Sequence, residues 1–349
     1  MDNALINQFI ALVGEKYALT SADDLSHYTH ENRGLYIGDT PLVLKPANTE
    51  EVSEILKLAA LTKTVIVPQG GHTGHVGGAV SDESGTQVVL SLERMNEIRE
   101  ATVILCEAGV ILETVQKLAD DNDRLFPLAL GSQGSCQIGG NISTNAGGTG
   151  VLAYGNTRAL VMGLEVVLPS GEIWNGLRRL KKDNTGYDLK DLFIGAEGTL
   201  GIVTAAVLKL FPKPRGKAVA FCGVQSPDHA LQLFTKASSY AGQGLTAFEL
   251  MARIPLEQEM PDARLCTFGH LGDGNMHYNI SQPTNANTQE FLAKQPEINE
   301  LIHALVINMN GSVAAEHGVG RLKRDLIAQT KDRVELNLMK SIKKTLDPG

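Results

Sequence analysis

Apolar positions along the first two hundred residues change period repeatedly, and each change predicts an element. Leu5, Ile6, Phe9, Ile10, Leu12 and Val13 recur at helical spacing and predict an amphipathic opening helix. Leu42-Val43-Leu44 reads as a short strand, and Asn48-Thr49 ahead of Glu51, Val52, Ile55, Leu56 and Ala59 has the pattern of a capped helix. The β-branched run Thr64-Val65-Ile66-Val67 predicts a strand, residues 88–92 and 102–106 two more, and residues 112–119 a helix. Residues 161–168 read as a strand closed by the turn Pro169-Ser170-Gly171-Glu172, and residues 202–210 as another. Pro212-Lys213-Pro214 punctuates the chain and marks a domain boundary. Beyond it, strands are expected over 218–224, 245–251 and 264–268, and helices over 228–239, 289–309 and 334–346.

The polar segments between these elements carry the chemistry. Pro68-Gln69-Gly70-Gly71-His72-Thr73-Gly74 leaves a strand directly, and its glycines let main-chain N–H groups turn inward as a nest for phosphate oxygens. Ile138-Gly139-Gly140-Asn141 through Thr144-Asn145-Ala146-Gly147-Gly148 repeats that chemistry, so one pyrophosphate held between two glycine loops accounts for both. The competing reading is a pair of surface turns. Asn184-Thr185-Gly186-Tyr187-Asp188-Leu189 and Gly195-Ala196-Glu197-Gly198-Thr199-Leu200-Gly201 are further glycine-bearing loops.

Length and charge narrow the class. A chain of 349 residues predicts two domains, or one with a cap, and 43% hydrophobic residues suffice for packed cores. The net charge of −8 leaves no basic stripe for a duplex and argues against nucleic-acid binding. Cys106, Cys136, Cys222 and Cys266 form no CxxC pair, which fits a reducing cytoplasm rather than a disulfide framework or zinc knuckle. Asp2 and Asn3 stand where a secretory leader carries positive charge, and no apolar run approaches the roughly 20 residues of a membrane span.

The sharpest stretch is His270-Leu271-Gly272-Asp273-Gly274-Asn275-Met276-His277-Tyr278-Asn279. Its two imidazoles flank an Asp-Gly turn and can converge across a hairpin, with Asn279 on the same face two residues beyond His277. Glu316-His317, in a glycine-bounded turn, offers a carboxylate and a third imidazole. Two imidazoles and a carboxylate with an open position suit a catalytic zinc or related divalent metal, and a metal-free imidazole beside it suits a base. His317 is the expected base and Glu316 the ligand, although adjacent residues could exchange these roles.

These motifs, with Gly131-Ser132-Gln133-Gly134-Ser135-Cys136-Gln137 and Lys182-Asp183-Asn184-Thr185-Gly186-Tyr187-Asp188, run in the order seen in flavoproteins of the vanillyl-alcohol oxidase fold. Within them the sequence resembles the D-lactate, D-2-hydroxyglutarate and glycolate-oxidase-subunit dehydrogenase group. The resemblance implies an α+β chain: a two-subdomain FAD-binding domain over 1–213, a substrate and metal cap with antiparallel sheet over 214–331, and a C-terminal helix over 332–349 returning to the first domain. It implies that Pro68, Gln69, Gly70, Gly71, His72, Thr73, Gly74, Gly131, Ser132, Gly134, Ser135, Ile138, Gly139, Asn141, Asn145, Gly147 and Gly148 grip FAD. Glu197, Gly198, Gly201, Ile202 and Val203 would lie near the flavin. It implies His270, His277 and Glu316 as ligands of a divalent metal, zinc being expected, Asn279 as a substrate contact and His317 as the base. The implied reaction oxidises a D-2-hydroxy acid of the D-lactate or D-2-hydroxyglutarate type by hydride transfer to flavin N5. Electrons would leave to an electron-transfer flavoprotein, a quinone or a cytochrome. The implied protein is cytoplasmic or peripheral to the inner membrane, and homodimers occur in the group.

The chain departs from the group in three ways. The stretch near 251–263 is much shorter than the group's substrate domain, so the carboxylate clamps have no counterparts to name. The end at Leu346-Asp347-Pro348-Gly349 is also short. His72 stands where close relatives carry Asn, which sets a covalent 8α-histidyl link against the expected non-covalent FAD. Cys136 reads as a small buried residue. Competing functions are a flavin reductase of the same fold, a flavin-holding scaffold without turnover, and a flavin-free zinc hydrolase.

Overall fold

The structure, a computed structural model, describes residues 1–252, 264–265, 267–283 and 286–349. It divides into two compact units: Met1–Gly148 with Asn156–Pro214 and Glu316–Gly349, and Thr149–Gly155 with Arg215–Ala315. Residues 253–263, where the sequence suggests a shortened cap, lie outside the described residues, as does Cys266.

The first unit is built on two sheets. The strands Val43–Leu44, Val88–Ser91 and Ile66–Gln69 run parallel in that order, with Ala18–Leu19 antiparallel at the edge. The helix Thr49–Thr62 makes the crossover into Ile66–Gln69. The Asn48 side chain accepts the Glu51 N–H at 2.8 Å, and Glu51 reaches back to accept the Ala47 N–H at 2.8 Å, so both ends of the cap are satisfied. The second sheet is antiparallel, in the order Ile98–Glu100, Leu105–Glu107, Ile202–Leu208, Val161–Val167, Ile173–Gly176. One core joins both: Phe9, Leu44, Val52, Ile55, Leu90 and Met95 pack with Val167 and Ile202. Each such fully buried side chain contributes roughly 1.5–3 kcal/mol.

A charged network crosses this core. Arg99 donates to Glu107 at 3.0 Å and to Glu165 at 3.1 Å, and Glu165 also accepts the Thr49 and Thr204 hydroxyls at 2.7 and 3.0 Å. Burial works against the Arg99 charge, but Glu165 and Glu107 outweigh it and hold its pKa up. Removing one partner strands the others in a dry site, so Glu165→Ala should cost about 3 kcal/mol in urea unfolding. An unchanged unfolding midpoint would show that the network adds no net stability.

Elements of the first unit differ from the pattern reading: the strand expected over 64–67 runs over Ile66–Gln69 and takes in Pro68 and Gln69. The strand expected over 102–106 is displaced to Leu105–Glu107, because the hairpin joining it to Ile98–Glu100 takes up residues 101–104. The segment from Ile138, expected as a loop, begins as the short helix Ile138–Ser143. Gly139 is glycine there for contact: a Cβ would sit 2.7 Å from the Cβ of Ala108.

The second unit holds the helix Pro227–Ala241, capped by Ser226, and the helices Thr288–Ala293 and Gln295–Asn308. Its main sheet is antiparallel, in the order Glu249–Ala252, Thr267–His270, Asn275–His277. The strand expected over 245–251 therefore starts later, at Glu249. Residues 218–224, expected as a strand, form none: they pair with nothing among the described residues, and Val219 and Phe221 stand 83% and 88% exposed. Apolar alternation predicts a strand only where a neighbour supplies hydrogen bonds. The chain is thus a mixed α and β protein with a parallel-cored sheet, an antiparallel sheet and a smaller antiparallel unit.

Candidate functional site

The strand Ile66–Gln69 delivers the first glycine loop, and a buried amide fixes its exit. Gln69 Nε2 donates to the carbonyls of Tyr28 and Ala79 at 2.9 and 2.8 Å. His72 adopts a positive φ of 55°, and its Nε2–H donates to the His30 carbonyl at 2.9 Å. Burial, the larger effect, outweighs that bond and lowers the His72 pKa, so the ring is neutral near pH 7 with a bare Nδ1.

The second glycine segment packs against the first. A Cβ on Gly71 would overlap the Ser135 carbonyl oxygen, and one on Gly70 would lie 3.4 Å from Gln137 Oε1 and 3.6 Å from the Gly140 N. Gly74, Gly131 and Gly140 instead face open space. Asn145 turns back with φ 48° to accept the Arg158 N–H on its side chain at 2.9 Å, and Gly148, at φ 104°, packs on the Ala129 carbonyl. Gly198 lies against Pro68, where a Cβ would come within 2.6 Å of the ring, and Gly201 packs on Val166, ahead of the strand bearing Ile202 and Val203. So the first unit brings Pro68, Gly70 and Gly71 together with Ser135, Gln137, Gly140 and Gly198, while Gly139 packs on Ala108. Buried atoms without a partner remain at this junction: His72 Nδ1, Gln137 Oε1 and Asn141 Nδ2. An orphaned donor and two orphaned acceptors beside open glycine edges fit a polar, phosphate-bearing cofactor. The Cys136 thiol is buried and free, as is that of Cys106, which burial pushes up to about 12.

Glu316 and His317 also belong to the first unit. The His317 ring meets that of His75 edge to face, with centroids 5.0 Å apart. Sequence reasoning passed over His75, although it stands three residues beyond His72 in the same loop. The buried Glu31 carboxylate lies 3.9 Å from its Nδ1.

In the second unit the histidine hairpin forms as its spacing predicts. Thr267–His270 pairs with Asn275–His277, with His270 opposite Asn275 and Phe268 opposite His277. Phe268 and His270 share a face two residues apart, so the cross-strand partner of Phe268 arrives beside His270. The His277 ring stacks on Phe268 with centroids 4.9 Å apart and meets the His270 ring at 5.8 Å. His270 Nδ1 bonds Glu249 at 2.7 Å, which fixes the orientation of the ring. Glu249 was missed in the sequence; its signal was a carboxylate on an apolar strand, legible only once Glu249 is known to lie opposite His270. The strand ends at His277, so alternation along a strand does not place Asn279.

Comparison with known proteins bears on the family and the fold. Residues 40–176 match the FAD binding domain family, and residues 256–349 match the C-terminal domain of FAD linked oxidases. A D-2-hydroxyglutarate dehydrogenase of Stutzerimonas stutzeri is 30% identical over 100% of this chain and 97% of its own. The mitochondrial D-2-hydroxyglutarate dehydrogenases of Rattus norvegicus and Bos taurus are 32% and 33% identical, over 89% of this chain and 77% and 75% of theirs. The Stutzerimonas alignment runs over 453 positions, more than the 349 residues here, so that relative carries internal residues without counterpart in this chain. Among solved structures, an alkyldihydroxyacetonephosphate synthase matches with a TM-score of 0.55 at 22% identity, over 62% of this chain and 41% of that one. A Phl p 4 glucose dehydrogenase matches with 0.51 at 16%, over 61% and 44%. The chain spans less than half of these solved chains, and the likeness concerns fold alone. With both halves matched in order and the relatives aligned along nearly its whole length, this chain belongs to the FAD-linked oxidoreductases of the vanillyl-alcohol oxidase fold, in the group that contains the D-2-hydroxyglutarate dehydrogenases.

Proposed function

We propose that the protein is an FAD-dependent dehydrogenase of a D-2-hydroxy acid of the D-2-hydroxyglutarate or D-lactate type. The observation that carries this reading is the pair of imidazoles on one face of the hairpin, His270 oriented by Glu249, in a chain whose relatives bear that enzyme's name. FAD, when bound, supplies the two-electron acceptor, and a divalent metal, zinc being the first choice, supplies a Lewis acid for the substrate hydroxyl. The glycine segments 68–74 and 131–148 hold the pyrophosphate, with Asn141 offering its unpaired Nδ2 donor to a phosphate oxygen, while Gln137 Oε1 can accept only from a hydroxyl or ring N–H of the cofactor. The ligands of the metal in this reading are His270, His277 and Glu316, a donor set of two imidazoles and one carboxylate. Asn279 hydrogen-bonds the substrate, and His317 takes the hydroxyl proton as the C2–H bond breaks.

In this reading residues 1–213 form the FAD domain, 214–331 the substrate domain and 332–349 a helix of the FAD domain. The acceptor is a separate electron-transfer flavoprotein, quinone or cytochrome, and the protein pairs with itself. Among the described residues no helix is long and apolar enough to cross a membrane. The free thiols Cys106, Cys136 and Cys222 suit the cytoplasm.

One observation favours a second reading, a flavin-holding scaffold: the residues that its relatives carry and this chain lacks. An anaerobic visible spectrum separates the two. A flavin band bleached by D-2-hydroxyglutarate or D-lactate but not by the L-isomer supports the dehydrogenase; a yellow protein that no D-acid bleaches would leave the scaffold. Glu249→Gln should weaken metal binding about 10–100-fold, because the carboxylate that fixes the His270 ring is lost. Titration with zinc against a competing chelator measures this, and equal affinity would remove Glu249 from the site.

A further inference from the structure

We infer that Glu197 is a positioning residue for His317, an assignment that rests on His317 being the base. Glu197 lies beside the cofactor segments by sequence, yet its carboxylate is directed elsewhere. Oε1 accepts the Val319 N–H and Oε2 the Gly320 N–H, each at 2.7 Å. These are charge-assisted bonds, roughly twice as strong as neutral ones. Both donors belong to the turn over residues 318–320 that directly follows His317.

That turn is shaped for a carboxylate. Gly318 and Gly320 take φ of 78° and 49°, so successive N–H groups converge as an anion nest. A Cβ at Gly318 would overlap Glu197 Oε1, and one at Gly320 would overlap the Val76 carbonyl oxygen. The turn is also held from the stretch that follows the first glycine segment: Val76 O accepts the N–H groups of Arg321 and Leu322 at 2.9 and 3.1 Å, and Arg321 donates to the Ser81 carbonyl at 3.1 Å.

Glu197 is itself locked. It sits at φ 51°, a strained conformation for a side chain with a Cβ, and its own N–H donates to the Ser143 carbonyl at 2.8 Å. Its neighbour Gly198 is pinned against Pro68, and the Thr199 carbonyl accepts Lys343 Nζ at 2.8 Å. A continuous chain of contacts therefore runs from both glycine segments through Glu197 to the backbone beside His317. Glu197 sets the root of the imidazole, and the same loops that would hold the pyrophosphate brace it.

The test compares wild type, Glu197→Ala and Glu197→Gln. Hydrogen exchange of the peptide covering residues 316–323, measured without and with FAD, should be at least about 10-fold faster in Glu197→Ala. Glu197→Gln should lie between, since its amide has one acceptor oxygen and turns an NH2 toward the second donor. In stopped-flow reduction by D-2-hydroxyglutarate, the limiting rate should fall about 10²-fold while FAD content and the half-saturating substrate concentration hold, the pattern of a misplaced base. Unchanged exchange, or lost FAD with a wild-type rate after reconstitution, would overturn the assignment. If wild-type flavin is not reduced by any D-2-hydroxy acid, the reading of His317 fails, and slow exchange in all three proteins would also remove Glu197 from the turn.

Discussion

Replacing His317 with alanine is expected to slow flavin reduction by a D-2-hydroxy acid about 10²–10⁴-fold while bound FAD and metal stay at wild-type levels. The group is asked to remove a hydroxyl proton as hydride leaves the neighbouring carbon, and no water held in a turn does that as well as a fixed imidazole. Its surroundings prepare it: His75 abuts the ring, with the buried Glu31 carboxylate behind His75. Two measurements separate catalysis from damage. Flavin absorbance per protein should match wild type, because the side chain is not among those bracing the glycine segments. Melting temperature should also hold, since His317 lies on the surface. A variant that bleaches its flavin at the wild-type rate would remove His317 from the mechanism and pass the base role to another group. Loss of metal in His317→Ala would instead point to the exchange of roles between Glu316 and His317 that their adjacency allows.

The legible parts of this chain are those in which local chemistry and tertiary context agree. The helix Thr49–Thr62 could be read because Asn48 and Glu51 form a reciprocal cap and Val52, Ile55, Leu56 and Ala59 form a stripe. The histidine hairpin could be read because a turn between β-prone flanks fixes the register, and register alone brings His277 beside His270. Residues 218–224 misled because alternation is necessary for a half-buried strand without being sufficient: the partner decides. The helix Ile138–Ser143 was hidden because two glycines argue for a turn, and only the approach of Ala108 explains Gly139 otherwise. The bond between Glu197 and the turn after His317 spans 122 residues, and no local pattern encodes it.

Gly71→Ala and Gly74→Ala are expected to give opposite combinations of stability and FAD affinity, although both delete one glycine from the same loop. At Gly71 the added methyl would meet the Ser135 carbonyl oxygen and lie 3.0 Å from the Cys136 Cα, both backbone atoms that cannot swing aside. Relief requires the two glycine segments to part, an overpacking cost of about 1–3 kcal/mol that the apo protein already bears. The melting temperature of apo Gly71→Ala should therefore drop, and FAD affinity should fall by up to about 10²-fold as the segments separate. At Gly74 the methyl meets nothing within 4 Å, and no positive φ forbids it. Apo Gly74→Ala should melt as wild type or slightly higher, because alanine restricts the unfolded chain more than glycine does. If the open side of Gly74 is where the pyrophosphate lies, the same methyl must weaken FAD binding, since backbone can no longer approach the phosphate oxygens. Calorimetric titration of both apo variants with FAD decides the matter. Wild-type affinity in Gly74→Ala would move the cofactor away from this edge of the loop, and wild-type stability in Gly71→Ala would show that the two segments are not in contact there.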